Sequence, residues 1–220
     1  MQYEKIQTTN LIEMTNVLDY DKKIEEESKT FQKIMFIYKM AIKEINTKIE
    51  IMQEQFKFLY NYDLIDHIDF RIKAPKSIIN KMKDKNCNLT YKDMIKNIND
   101  IAGVRVVCPL KKDIYSIKNL IQRLPGIETI KEKDYIKNPK ESGYSAYHLI
   151  LHVPVMLTQK IIYVKVEIQI KTIAMDFWSN IEHKTKYKPE KKPSKQISKE
   201  LLNCAKMINK LDEKIMLIRE

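Results

Sequence analysis

From Val164 to Lys171 the chain alternates without error: Val164, Val166, Ile168 and Ile170 are apolar, while Lys165, Glu167, Gln169 and Lys171 are polar or charged. Successive side chains of a strand point to opposite faces, so residues 161–171 form a strand with one core face and one wet face. The wet face carries a carboxylate between two lysines, with an amide beside it. That set suits a metal ion, a phosphate and the edge of a base. A solvated outer face would account for it as well, and the strand alone does not choose.

The rest of the chain supplies the partners such a strand needs. Residues 1–20 show no clear period and are expected to be partly disordered. From Phe31, apolar residues recur at alternating spacings of four and three: Ile34, Tyr38, Ala41, Ile45, Ile49, Met52, Phe56 and Leu59. That is one face of a long helix, about 45 Å for some 30 residues. A helix of this length serves either its own core or self-association as well. Asp69-Phe70-Arg71-Ile72-Lys73 reads as a short strand ended by Ala74-Pro75, and Ser77–Lys83 as a helix with Lys76 or Ser77 near its start. Gly103–Cys108 is an apolar run typical of a central strand.

Residues 111–123 return to helical spacing, and Pro125-Gly126 marks a turn. Strands are expected over 127–135 and 145–155, around a polar loop at 137–143. A helix over 172–184, a basic linker over 184–195 (Lys184, Lys186, Lys188, Lys191, Lys192, Lys195) and a heptad-like helix through Ile197, Leu201, Cys204, Ile208, Leu211, Ile215 and Ile218 complete the pass. The result is a mixed α/β fold with one sheet of about five strands, bracketed by two amphipathic helices. The expected divisions are 1–60 as a helical extension, 61–187 as the core, and 188–220 as the linker and final helix.

Composition narrows the ligand. Forty Lys and Arg stand against 29 Asp and Glu, a formal charge of +11, which favours a polyanionic partner. Three glycines in 220 residues leave no Gly-rich phosphate loop, so phosphates must be held by side chains. Three scattered cysteines without a C-x-x-C pair argue against structural disulfides and cysteine-bound zinc. With no apolar run near the ~20 residues of a membrane span and no signal-like N-terminus, a cytoplasmic location and no membrane partner are expected.

Asp100 and Glu167 sit beside or on predicted strands, and two carboxylates converging from neighbouring strands can hold Mg²⁺ over nucleotide phosphates. Either one alone has a plainer role, as a loop cap or a surface residue. Arg105 lies on an otherwise apolar strand and needs a partner carboxylate or a ligand. Tyr144 and Tyr147 can stack a base or fill the core. His148 has no second histidine at metal-ligand spacing.

In order along the chain stand Arg71-Ile-Lys73 with Ser77 and Lys81; Asp100-Ile-Ala-Gly103-Val-Arg105; Lys133-Asp-Tyr-Ile followed by Ser142-Gly143-Tyr144; and Glu167-Ile-Gln169 running into Phe177-Trp178 and Ile181-Glu182-His183. Together, over roughly residues 70–187, these motifs resemble the synthetase domain of the RelA/SpoT family. The chain length resembles that of its stand-alone members, the small alarmone synthetases.

The resemblance implies a nucleotidyltransferase-like mixed sheet and transfer of the β,γ-diphosphate of ATP to the 3′-hydroxyl of GDP or GTP, with GMP as a further acceptor. It implies that Asp100 and Glu167 hold Mg²⁺ and that Glu167 activates the hydroxyl. Arg71 and Arg105 would sandwich adenine, while Lys73, Ser77 and Lys81 take ATP phosphates. Lys133, Lys140 and Lys171 would face acceptor phosphates, Tyr144 would stack on guanine, and His148, Gln169 and Asp176 would lie near the acceptor nucleoside. A homotetramer and regulation by RNA are further expectations.

The chain departs from the family pattern at three places: Ser145 and Lys133 where Arg is frequent, and Asp176 where Asn is common. Acceptor preference is where these changes are expected to act. Two alternatives stay open at this point, a toxin-like relative modifying tRNA 3′ ends and a non-catalytic RNA-binding protein.

Overall fold

The computed structural model describes residues 7–10, 24–186 and 194–218. Most of the stretch over 1–20 lies outside the described residues, as do Lys188, Lys191 and Lys192 of the expected linker. Lys184 and Lys186 instead belong to a helix, and Lys195 opens another.

In chain order the elements are β1 (Gln7–Asn10), α1 (Ile24–Tyr60), β2 (His67–Ile72), α2 (Pro75–Asp84), α3 (Tyr91–Asn97), β3 (Ala102–Cys108), α4 (Lys111–Gln122), β4 (Glu128–Asp134), β5 (Tyr147–Met156), β6 (Lys160–Thr172), α5 (Ile173–Lys186) and α6 (Lys195–Ile218). The sheet runs β2-β3-β6-β5-β4, and β1 pairs with β6 beside that path. β3 and β1 lie parallel to β6, while β2–β3, β5–β6 and β4–β5 are antiparallel. The alternating strand is therefore central. Its apolar residues Val164, Val166, Ile168 and Ile170 are fully buried, and each such side chain contributes about 1.5–3 kcal/mol by leaving water.

Helix α1 buries Ile34, Tyr38, Ala41, Ile45, Ile49 and Met52 against β3, β5 and β6, in the same core cluster as the sheet. The predicted stripe does not hold to the end of the helix: Phe56 is half-buried and Leu59 is exposed, because the helix outruns the sheet there. Helix α4 packs Ile114, Ile117 and Ile121 into this cluster, and its Tyr115 meets Tyr147 edge-on at 5.9 Å. Tyr147 is thus a core residue of the apolar face, bonded to Glu132 at 2.7 Å, and not a base-stacking one.

Three further features differ from what the sequence leads one to expect. β1 forms within a stretch with no visible period. Helix α3 forms where no helix was expected, capped by Thr90, whose Oγ1 accepts from the Asp93 amide at 3.1 Å. In α6 the expected heptad stripe is split: Leu201, Ile208 and Ile215 are partly buried, while Ile197, Cys204, Leu211 and Ile218 face outward. The helix rests on α5 and α4 along one edge only. All three cysteines are free thiols.

Candidate active site

Sheet register assembles the polar face. Gly103 pairs with Glu167 and Arg105 with Gln169 across β3–β6. His148 pairs with Gln169 across β5–β6, Arg71 with Gly103 across β2–β3, and Lys133 with His148 across β4–β5. Paired residues share a face. So Arg71, Arg105, Glu167, Gln169, Lys171, His148 and Lys133 stand on one side of the sheet, opposite the side packed by α1 and α4. Arg71 lies directly over Gly103: a methyl there would sit 3.3 Å from both Cγ and Nε of the arginine. The missing side chain gives Arg71 a flat bed on the strand.

At one end of this face is Asp100, only 5% exposed. Its Oδ2 accepts from Lys73 at 2.9 Å and pairs with Lys81 at 2.8 Å, while Oδ1 is buried without a hydrogen-bond partner. Lys73 follows β2, and Lys81 lies one turn beyond Ser77 on the same face of α2. Proline at the start of α2 presets the helix, which has no side-chain cap. Burial pushes the Asp100 carboxyl up, but the two ammonium groups outweigh it and hold the group below its ordinary value. Ser77 is exposed, one helical turn before Lys81 on α2.

At the centre is Glu167. Its Oε1 lies 3.3 Å from His148 Nδ1, and its Oε2 accepts from Gln169 Nε2 at 2.8 Å. His148 Nε2 lies 2.8 Å from the Tyr144 hydroxyl. One neutral tautomer serves both contacts, with Nδ1–H donating to Glu167 and Nε2 accepting from Tyr144. Burial pushes Glu167 upward, yet His148 and Gln169 hold its carboxyl below the usual value, against a repulsion from Asp100. The two carboxylates are thus close enough to sense each other and both are ionised at neutral pH. Burial also raises the Tyr144 hydroxyl, with Glu167 adding to it.

Lys140 and Lys171 lie over the Tyr144 ring, at 4.8 and 4.9 Å from its centre. Lys140 and Lys133 also lie over Tyr135, at 4.9 and 5.8 Å. Lys171 is nearly inaccessible and donates to Ser179 at 3.0 Å. Its burial, and the neighbouring Arg105, push its pKa down to about 8. The loop reaches this position because Gly143 adopts φ +90 and packs so tightly that a Cβ would stand 2.5 Å from Ala205 of α6. Ser145 lines a small cavity behind the loop with Gly143, Trp178 and Ala205.

Arg105 finds the partner its position demanded. Its Nη1 lies 3.1 Å from Asp176 Oδ1, 3.6 Å from Asp69 Oδ2 and 3.3 Å from Asn180 Oδ1. Asp176 is buried, accepts from Asn180 Nδ2 at 2.8 Å and lies 3.8 Å from Lys171. It therefore stands between an arginine expected at the ATP side and a lysine expected at the acceptor side. Lys165, on the wet face of β6, donates to the Lys96 carbonyl and to Asn99.

Of the sequence candidates, all but Ser77 have a side-chain contact within this cleft or lie on its face by register. Asp69, Asn180 and Ser179 are additions. Asp69 was legible, being two residues before Arg71 on the same strand face. Asn180 and Ser179 follow Asp176 by four and three residues, the helix spacing that gathers side chains on one side. No group of three or more His, Cys, Asp or Glu able to hold a metal occurs among the described residues. A cation here would rest on two carboxylates and on phosphate oxygens, the arrangement Mg²⁺ favours. The partnerless Oδ1 of Asp100 and the ionised Glu167 fit that role.

Comparison with known proteins points the same way. Residues 70–192 match the family model described as a region found in RelA / SpoT proteins. The chain is 41% identical over 186 residues to the GTP pyrophosphokinase YwaC of Bacillus subtilis (strain 168), covering 84% of this chain and 89% of that protein. The small alarmone synthetase 1 from Bacillus subtilis bound to its product pppGpp superposes with a TM-score of 0.80 at 30% identity, covering 87% of this chain and 97% of that one. The same enzyme bound to AMPCPP gives a TM-score of 0.75 at 27% identity, covering 87% and 96%.

Proposed function

Because this chain belongs to the RelA/SpoT family, we propose that it is a GTP pyrophosphokinase of the small alarmone synthetase type, with its chemistry centred on Glu167 and Asp100. The reaction moves the β,γ-diphosphate of ATP to the 3′-hydroxyl of GDP or GTP, giving ppGpp or pppGpp and AMP. The observation that carries the residue assignment is two ionised carboxylates, Glu167 half-buried on the polar sheet face and Asp100 buried at its end, ringed by Arg and Lys. Solved complexes of a relative with pppGpp and with AMPCPP support two nucleotide sites of this kind.

In this reading the Glu167 carboxylate accepts the proton of the 3′-hydroxyl. The freed oxygen bonds to the β-phosphorus of ATP, and the bond from that phosphorus to the oxygen bridging to the α-phosphate breaks, releasing AMP. His148 and Gln169 orient the carboxylate. Tyr144 offers its ring to guanine, flanked by Lys140, Lys171 and Lys133 for acceptor phosphates. Arg71 and Arg105 frame adenine, and Lys73, Lys81 and Ser77 take the ATP phosphates. Asp100 and Glu167 would hold Mg²⁺, which when bound neutralises charge on the transferred diphosphate.

Exposed apolar side chains on α1 (Phe36, Ile51, Phe58) and on α6 (Met207, Leu217, Ile218) support a homo-oligomer, with a tetramer as the form common in the family. Free cysteines fit a reducing, cytoplasmic setting. No helix among the described residues is long and apolar enough to cross a membrane.

The test is chromatography of products from γ-labelled ATP with GMP, GDP, GTP or bulk tRNA, with and without Mg²⁺. A Mg²⁺-dependent guanosine product carrying the label, lost in Glu167→Gln, is expected. Label on tRNA alone, or full turnover by Glu167→Gln, would overturn the assignment.

A further inference from the structure

Lys165 is used by none of the roles above, yet it is built into the site. It lies two residues before Glu167 on β6, so both side chains leave the strand on the same face. Its ammonium donates to the Lys96 carbonyl oxygen at 2.6 Å and to Asn99 Oδ1 at 3.1 Å. Lys96 is in the last turn of α3, and Asn99 immediately precedes Asp100. Lys85 adds a bond to the Asn97 carbonyl at 2.7 Å. Carbonyls at a helix C-terminus lack intrahelical donors, and here two lysines supply them. One of the two comes from the strand that bears Glu167.

The sheet does not do this work. The β3–β6 ladder begins at Ala102 and Val166, beyond Asp100. The backbone just before it is tied elsewhere: the Lys73 amide bonds to the Ile101 carbonyl, which links this turn to β2. The Lys165 ammonium ties β6 to the turn carrying Asp100 by its hydrogen bonds to the Lys96 carbonyl and Asn99.

We propose that Lys165 is a positioning residue: it fixes the Asp100 turn against β6, sets the separation of the Asp100 and Glu167 carboxylates, and so sets their affinity for a divalent cation. This rests on the reading of those carboxylates as a metal pair, and the test separates the two. Two effects of removing Lys165 have opposite signs. Loss of a nearby positive charge would tighten cation binding. Loss of the anchor would weaken it, and contacts of this supporting kind typically change metal affinity by about 10–100-fold.

The experiment uses the full chain as wild type, Lys165→Met, Lys165→Arg, Asn99→Ala and Glu167→Gln. One readout is the Mg²⁺ concentration giving half-maximal product formation. The other is Mn²⁺ binding followed by electron paramagnetic resonance in the presence of a methylene-bridged ATP analogue. Lys165→Met is expected to raise the Mg²⁺ requirement about tenfold and to weaken Mn²⁺ by a similar factor. Lys165→Arg should restore most of both, and Asn99→Ala should shift both in the same direction by about threefold. Should Lys165→Met not fold, Asn99→Ala and Lys165→Arg decide. Metal dependence that is unchanged or tighter in Lys165→Met, or unchanged in Asn99→Ala, overturns the proposal. Full turnover and Mn²⁺ binding by Glu167→Gln would instead overturn the metal-pair reading itself.

Discussion

His148 Nδ1 lies 3.3 Å from Glu167 Oε1, and this contact joins the strand that carries the candidate base to the loop that carries Tyr144. Glu167→Gln removes the proton acceptor while keeping the shape. The diphosphate-transfer rate should fall by about 10²–10⁴-fold, with affinity for an ATP analogue within about threefold of wild type. Rapid-quench rates and calorimetric titration of the analogue check both. His148→Ala leaves the base in place but loosens it, so kcat should fall less, by about 10–100-fold.

Lys171 gives a pH signature. Its pKa is pushed down to about 8, so one unit above that value only about a tenth of the molecules keep the charge. Acceptor KM should therefore rise through the range above about 8, while ATP KM stays flat. Lys171→Met should have a high acceptor KM at every pH and lose that dependence. Between about 8 and the ordinary lysine value the unfolded chain binds more protons, so this group's contribution to stability increases with pH. Acceptor KM and the denaturant midpoint, measured from pH 7 to 10, should therefore both rise: acceptor binding weakens while the fold gains stability.

Asp100→Asn removes the charge that Lys73 and Lys81 share. Mg²⁺-dependent turnover should fall by about 10²-fold or more. The wild-type carboxyl is held below its ordinary value. Its contribution to stability is therefore present above that ordinary value and is lost as pH falls through the lowered one. Acid denaturation profiles of wild type and Asp100→Asn should differ at neutral pH and converge at low pH.

Gly103→Ala tests the bed beneath Arg71. The added methyl meets the flexible arginine and not backbone, so the strand should keep its thermal midpoint. Arg71 must lift by a few tenths of an ångström, and ATP KM should rise about threefold with acceptor KM unchanged. Equal shifts in both constants would speak against Arg71 at the ATP side.

Asp176→Asn releases Arg105 from its shortest ionic contact, at 3.1 Å. Stability should fall by about 1–3 kcal/mol, and ATP KM should rise more than the KM for GDP or GTP. Steady-state assays with each acceptor and urea melts check this. If only the ratio between acceptors changes, Asp176 acts on the guanine nucleotide instead.

The central part of the fold was legible because strand and helix periods were clean where both faces had definite neighbours. The alternation over 164–171 read correctly because α1 and α4 cover its apolar side, where Val164, Val166, Ile168 and Ile170 are buried. Signals failed where a contact came from elsewhere in the chain. Leu59 keeps helical spacing but extends past the sheet, and Ile197, Cys204, Leu211 and Ile218 keep the heptad of α6 while its supporting neighbours touch only the other edge. The short helix α3 carried a readable mark in Thr90 followed three residues later by Asp93. Site residues on strands were visible from period two, whereas the grip of Asp176 on Arg105 spans 71 residues and belongs to tertiary structure alone.

The close approach of Gly143 to Ala205 has a consequence for how such enzymes diversify. The strands that carry Glu167, Arg105 and Arg71 are held in register by the sheet. The resting place of the Tyr144 loop is set by a helix that lies beyond the 70–192 region matched to the family. Exchanging a small side chain on that helix for a larger one moves the loop while leaving the carboxylates where they are. If Tyr144 takes guanine as proposed, α6 is then a place where acceptor preference can change with Glu167 and Asp100 left in position.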